Sequence, residues 1–253
     1  MRKKIIAGNW KMHKTRAETE SFFLELKKIF PTNSTSTLWV APPFTALSTS
    51  VDFVKKLHLP IAVGAQNMHE SSSGAFTGEI SAPMLKEAGC VFSIIGHSER
   101  RTIFHESSPQ IHAKVSTALK TGLCPLLCIG ESLLNRESGK YMDTLIEQLT
   151  SALDGIPKKE LSSIVIAYEP VWAIGTGKTA SPEIAERTHV QIREFLSLRF
   201  GSSFADLVPI LYGGSVSPAN VCSIVEKENV DGVLIGGASL DPNTFATIIH
   251  QIG

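Results

Sequence analysis

The sequence carries no excess charge: 24 Lys and Arg stand against 24 Asp and Glu. Nucleic acid and anionic membranes both reward a strongly basic face, so neither is expected as the main partner. A small anionic ligand needs only a local positive site, which a neutral total does not exclude. Cysteine is scarce. The four are Cys90, Cys124, Cys128 and Cys222. Cys124 and Cys128 are separated by three residues, which is neither the redox Cys-x-x-Cys pattern nor a zinc pair. Each lies in or near an apolar segment, where a thiol acts as a small hydrophobe, so reduced thiols in the cytoplasm are the expectation. No apolar run approaches the length of a membrane span. In the opening MRKKIIAGNWK, the apolar stretch Ile5 to Gly8 is too short for a signal-peptide core. Two nucleotide signatures are missing as well. Gly175-Thr176-Gly177-Lys178-Thr179 invites a phosphate-loop reading, but that motif needs glycine at position 172, where Trp172 stands. No Gly-x-Gly-x-x-Gly follows a strand candidate. No His/Asp/Glu spacing marks a metal site. Neither cofactor nor metal is therefore expected.

What the chain does have is regular alternation. Its 253 residues are 43% hydrophobic, enough for a sizeable core. Short apolar runs at Lys4–Gly8, Thr37–Ala41, Ile61–Gly64, Val91–Ile95, Cys124–Ile129, Ser163–Tyr168, Pro209–Tyr212 and Gly232–Ile235 read as strands. They are near-continuously apolar, as parallel strands covered on both faces are. Helical patterns lie between them. Thr15–Phe30 places Phe22, Phe23, Leu26, Ile29 and Phe30 on one face, and Ser181–Phe200 carries Ile184, Ala185, Thr188, Gln191, Ile192, Phe195 and Phe200 at helical spacing. Ser108-Pro109, Ser181-Pro182, Ser217-Pro218 and Asp241-Pro242 each read as a cap residue followed by proline at a helix start. Eight units of roughly 32 residues match the size of a βα repeat. No linker divides the chain, so residues 1–253 are expected to form a single domain, a closed (β/α)8 barrel. A doubly wound open sheet remains the structural alternative.

Polar residues gather just after the strand candidates, where a barrel of this kind carries its site. Asn9-Trp10-Lys11 follows the first, Gly96-His97-Ser98-Glu99-Arg100 the fourth, Glu169 the sixth, Gly213-Gly214-Ser215 the seventh and Gly236-Gly237 the eighth. This is a kit for proton transfer beside a carbonyl, with a handle for phosphate. Glu169 alone could be a structural carboxylate; at a strand end, against Pro170, it reads as a base whose pKa burial would raise. His97 could be a core histidine; at the start of a helical turn it reads as a neutral imidazole able to donate to a carbonyl. Lys11 could neutralise phosphate or an enolate oxygen, or form a Schiff base. Asn9 could polarise the carbonyl. Glu99 is expected to pair with Lys11 or Arg100, and Cys128 to pack. The double glycines at 213–214 and 236–237 would let backbone N–H groups approach an anion.

Taken together, AGNWKM (7–12), GAFTGE (74–79), IGHSERR (95–101), AYEPVWAIGTGKT (167–179), YGGSV (212–216) and GGASL (236–240) resemble the triosephosphate isomerase family from end to end. The resemblance implies interconversion of dihydroxyacetone phosphate and glyceraldehyde 3-phosphate through an enediolate. It implies Glu169 as base, His97 and Asn9 polarising the carbonyl, and Lys11 adding positive charge. The carboxylate base with a neutral histidine and a closing loop is a pattern the family itself exemplifies. It further implies phosphate held by N–H groups at Gly175, Ser215, Gly236 and Gly237, with 170–179 as a lid. It implies a homodimer in which loop 65–79 inserts into the partner and Thr77 reaches the partner's site. His13, where a smaller polar residue is expected, and His105, where glycine is usual, depart from the pattern. The rivals are a Schiff-base aldolase acting through Lys11, a sugar-phosphate-binding protein and a metal enzyme.

Overall fold

The computed structural model of the chain describes residues 2–31, 34–174 and 180–253. Its strands are β1 (Ile5–Asn9), β2 (Thr37–Ala41), β3 (Ile61–Ala65), β4 (Phe92–Ile95), β5 (Cys124–Ile129), β6 (Val165–Tyr168), β7 (Ile210–Tyr212) and β8 (Gly232–Ile235). Each runs parallel to its neighbours, and β1 pairs with both β2 and β8, so the sheet closes. Closure decides against the open sheet. The strand ends differ from the sequence reading by a residue or two, β1 extending to Asn9 and β6 beginning at Val165.

Closure also explains why the strands are near-continuously apolar. Successive side chains of a strand point to opposite faces. Ile5 and Ala7, Trp39 and Ala41, Phe92 and Ile94, Leu126 and Cys128, and Val165 and Ala167 join one cluster with Leu211 and Leu234, which fills the barrel. The intervening residues, among them Ile6, Val40, Ile95, Leu127, Ile166 and Val233, belong to the larger cluster shared with the helices. Continuing the inner series by one step reaches Asn9 after Ala7, Gly130 after Cys128, Glu169 after Ala167, Gly213 after Leu211 and Gly236 after Leu234. The alternation that packs the barrel thus brings an amide, a carboxylate and three glycines to its C-terminal mouth.

Local signals set the helices. Thr15 and Glu18 close a capping box ahead of Arg16–Ile29, which buries Thr19, Phe22, Phe23 and Leu26. Ile29, expected on that face, is exposed. Ser181 caps Pro182–Phe200 and Asp241 caps Pro242–Ile252, as the cap–proline pairs predict. The other two pairs need correction. Ser107, not Ser108, caps Ser108–Thr121, because it is Ser107 that closes the box with Gln110. Ser217-Pro218 opens a turn in which Asn220 Oδ1 accepts from Ser217 N, and the helix begins only at Val221. On Pro182–Phe200 the buried face includes His189 and Arg193. Arg193 donates to Asp231 Oδ2 at 2.7 Å and to carbonyls at the opposite, N-terminal end of the barrel.

Candidate active site

A cavity of about 290 Å³ opens at the C-terminal mouth, lined by Asn9, Lys11, His97, Glu169, Ser215, Gly236 and Gly237 among others. These are the residues the strand-end reading nominates, apart from Gly175, which lies outside the described residues with the rest of 175–179.

Glu169 follows β6 directly. Its backbone N–H donates to Ile129 O at 2.7 Å, which carries the β5–β6 ladder one residue past the strand. Two glycines make room around it. A Cβ on Gly213 would stand 2.9 Å from Glu169 Cγ, and one on Gly130 would stand 2.1 Å from the Glu169 carbonyl oxygen. The carboxylate is buried and fully engaged: Oε2 accepts from Ser98 N at 2.9 Å, and Oε1 lies 2.9 Å from His97 Nε2. Burial alone pushes its pKa up, as the sequence reading assumed. The His97 ring, the Ser98 N–H and the Lys11 ammonium pull it down, and together they prevail, so the carboxyl titrates below its ordinary range. The expected raised pKa is therefore corrected for this arrangement.

His97 ends the β4 segment and caps the helix Ser98–Thr102, its Nδ1 accepting from Glu99 N at 3.2 Å. Burial disfavours the imidazolium, but the Glu169 and Glu99 carboxylates together outweigh it, so the ring holds its protons more tightly than a free histidine. One proton belongs on Nε2, facing the carboxylate. A second would have to go to Nδ1, where the Glu99 N–H already points. The Glu99 N–H at Nδ1 favours the Nε2-protonated tautomer of the neutral ring, whereas the Glu169 and Glu99 carboxylates draw the ring towards the imidazolium.

The β1 end is held by its own polar groups. Lys11 adopts a left-handed φ of 51°, stabilised where Asn9 Oδ1 accepts its N–H at 3.0 Å and Gln66 Nε2 donates to its carbonyl at 2.8 Å. With its oxygen so occupied, Asn9 has its NH2 left for other partners. Lys11 Nζ lies 2.5 Å from Glu99 Oε1. Glu99 thus pairs with Lys11, while Arg100 turns to Glu106. A Schiff-base nucleophile needs a free amine, and Glu99 engages that nitrogen. Cys128 packs inside the barrel, burial foremost holding its thiol well above the ordinary range. Among the described residues, no cluster of three or more His, Cys, Asp or Glu could hold a metal.

Several contributors escaped the sequence reading. Gln66 also donates to Ala41 O, tying β1 and β2 ends together. Glu131, buried behind the mouth, accepts from Tyr168 Oη and from Trp172 Nε1, each at 2.9 Å. Both follow strands, β3 and β5, so the rule that exposed Asn9 and Glu169 would have found them had it been applied there. Ser98 acts through its backbone N–H, which no residue type announces.

A model of the triosephosphate isomerase family matches residues 4–252. The chain belongs to the triosephosphate isomerase family. The triosephosphate isomerase of Solibacter usitatus is 48% identical over 99% of this chain and 100% of its own length. That of Flavobacterium johnsoniae is 49% identical over the whole of both chains. That of Chlamydia trachomatis serovar D is 47% identical over 99% of this chain and 90% of its own. His105 takes a left-handed φ of 54°, the conformation glycine reaches without strain.

Proposed function

We propose that the protein is an isomerase interconverting dihydroxyacetone phosphate and D-glyceraldehyde 3-phosphate by proton transfer through an enediolate. The observation that carries this reading is the pair formed by the Glu169 carboxylate and the His97 Nε2–H, 2.9 Å apart in one cavity with Lys11. Glu169 moves the proton between the two carbons. His97 and Asn9 polarise the carbonyl and pass the hydroxyl protons, and Lys11 opposes the developing negative charge. Backbone N–H groups of Gly175, Ser215, Gly236 and Gly237 hold the phosphate. A substrate carbonyl that takes the His97 N–H removes the strongest influence holding the Glu169 pKa down. Burial then works unopposed by that bond and makes the carboxylate a better base. Segment 170–179 serves as the lid, whose closure excludes water and protects the enediolate. Pro170 and Trp172 form its described beginning, with Trp172 tethered to Glu131.

The chain works as one domain over residues 1–253 and as a homodimer in the cytoplasm. Supporting the dimer, Met12 is 93% exposed beside Lys11, and Phe76 is 45% exposed next to Thr77 on loop 65–79. Among the described residues no helix is long and apolar enough to cross a membrane. No metal or cofactor takes part.

The test is a coupled assay of glyceraldehyde 3-phosphate isomerisation by purified protein without added metal or cofactor, beside Glu169→Gln. The variant is expected to lose turnover by a factor on the order of 10² to 10⁴, the range of general acid–base catalysis. Near-normal turnover in a folded Glu169→Gln would remove Glu169 from the mechanism.

A further inference from the structure

Arg101 lies one helical turn beyond His97, on the short helix Ser98–Thr102. Its guanidinium donates from Nε to Gly96 O at 2.8 Å and from Nη2 to Cys128 O at 3.0 Å. The last pair of the β4–β5 ladder is Ile95 with Leu127. Gly96 and Cys128 are the next residues on each strand, and two carbonyls cannot bond each other. The planar guanidinium supplies one N–H to each in a fixed fork, which the single nitrogen of a lysine does not offer. Gly96 is shaped for this, with φ at +70° and a hypothetical Cβ only 2.9 Å from Arg101 Nη2.

The two carbonyls are not arbitrary ones. Gly96 O shares a rigid peptide plane with His97 N. Cys128 O belongs to the peptide that leads into Ile129, whose own carbonyl accepts the Glu169 backbone N–H at 2.7 Å. One side chain therefore bonds the peptide that carries His97 N and, on β5, the carbonyl one residue before the one that holds the Glu169 N–H. His97 and Glu169 sit on different strands, and β5 stands between them.

We propose that Arg101 is a positioning residue whose guanidinium forms the terminal rung between β4 and β5 and thereby sets the His97 imidazole against the Glu169 carboxylate. It touches no reacting atom. The inference rests on the isomerase reading above. Ser215, Gly236 and Gly237 of the phosphate grip stand at the β7 and β8 ends, outside its reach.

The test compares Arg101→Met and Arg101→Lys with the wild-type protein in kcat, KM, inhibition by inorganic phosphate, and urea unfolding. Loss of the rung lets the pair drift, and a misplacement near 1 Å costs up to about 100-fold in rate. Both variants are expected to fold and to lose kcat by roughly 10- to 100-fold, with KM and phosphate inhibition unchanged. Wild-type kcat in Arg101→Lys would overturn the proposal, since charge without the fork would then suffice. A joint loss of stability, phosphate inhibition and kcat would also overturn it, by reducing Arg101 to a general structural role. Should Arg101→Met fail to fold, the lysine variant, which keeps the charge and an apolar stem, decides alone. An inactive wild-type protein would sink the isomerase reading and this inference with it.

Discussion

Gly130→Ala tests how closely the base is held. An added Cβ would stand 2.1 Å from the Glu169 carbonyl oxygen and 3.1 Å from its carbonyl carbon, so the two segments must part by about 1 Å. Gly130 cannot easily retreat. Its N–H donates to Gln148 Oε1 and its carbonyl accepts from Gln148 Nε2, both at 2.9 Å. Part of the displacement therefore falls on Glu169, which is bonded through its own N–H to the neighbouring Ile129. Overpacking of this kind costs about 1–3 kcal/mol of stability. A shift of the base near 1 Å costs about 100-fold in turnover. The expected result is a folded protein whose urea midpoint falls and whose kcat falls by about two orders of magnitude. KM should change little, because Ser215, Gly236 and Gly237 of the phosphate site follow other strands, β7 and β8. Wild-type kcat in this variant would mean that the β5–β6 contact does not govern the base, and would refute the argument.

Two further expectations rest on different groups. At Gly237 an added Cβ meets nothing within 4 Å. Gly237→Ala should therefore unfold at the wild-type urea concentration yet raise KM, because the methyl occupies space the phosphate needs; unchanged KM would exclude Gly237 from the phosphate site. His189 is buried, with Nδ1 3.0 Å from Asn229 O, and burial lowers its pKa to about 4. Its folded pKa lies below the unfolded value of about 6.5, so its contribution is complete above pH ~6.5 and is lost as pH falls towards 4, by up to about 3 kcal/mol. Urea midpoints measured across that window should fall for the wild-type protein and fall less steeply for His189→Gln. Equal slopes would assign the acid sensitivity to other groups.

Much of this protein was legible before folding because its signals are local. Continuous apolar runs follow from strands covered on both faces, and the boxes at Thr15 and Glu18 or the cap at Ser181 are complete within four residues. The residues of the mouth were legible for a related reason: strand alternation carries Asn9 and Glu169 into place once Ala7 and Ala167 face inward. The family pattern added the chemistry that those side chains imply. Even local reading failed where a neighbour competed, as when Ser107 rather than Ser108 took the cap.

The tertiary structure decided what depends on residues far apart in the chain. Closure is a pairing of β1 with β8, and nothing in either strand distinguishes an edge that closes from one that stays open. The Ser98 N–H reaches Glu169 across 71 positions, and Lys11 reaches Glu99 across 88. The His97 ring foremost, with the Ser98 N–H and the Lys11 ammonium, reverses the direction in which burial alone would move the Glu169 pKa. The sequence by itself determined which groups the site contains, because residue identity and strand period are written locally. Only the folded barrel decided in which direction each group's proton affinity shifts, because that depends on distances of about 3 Å between strands remote in sequence.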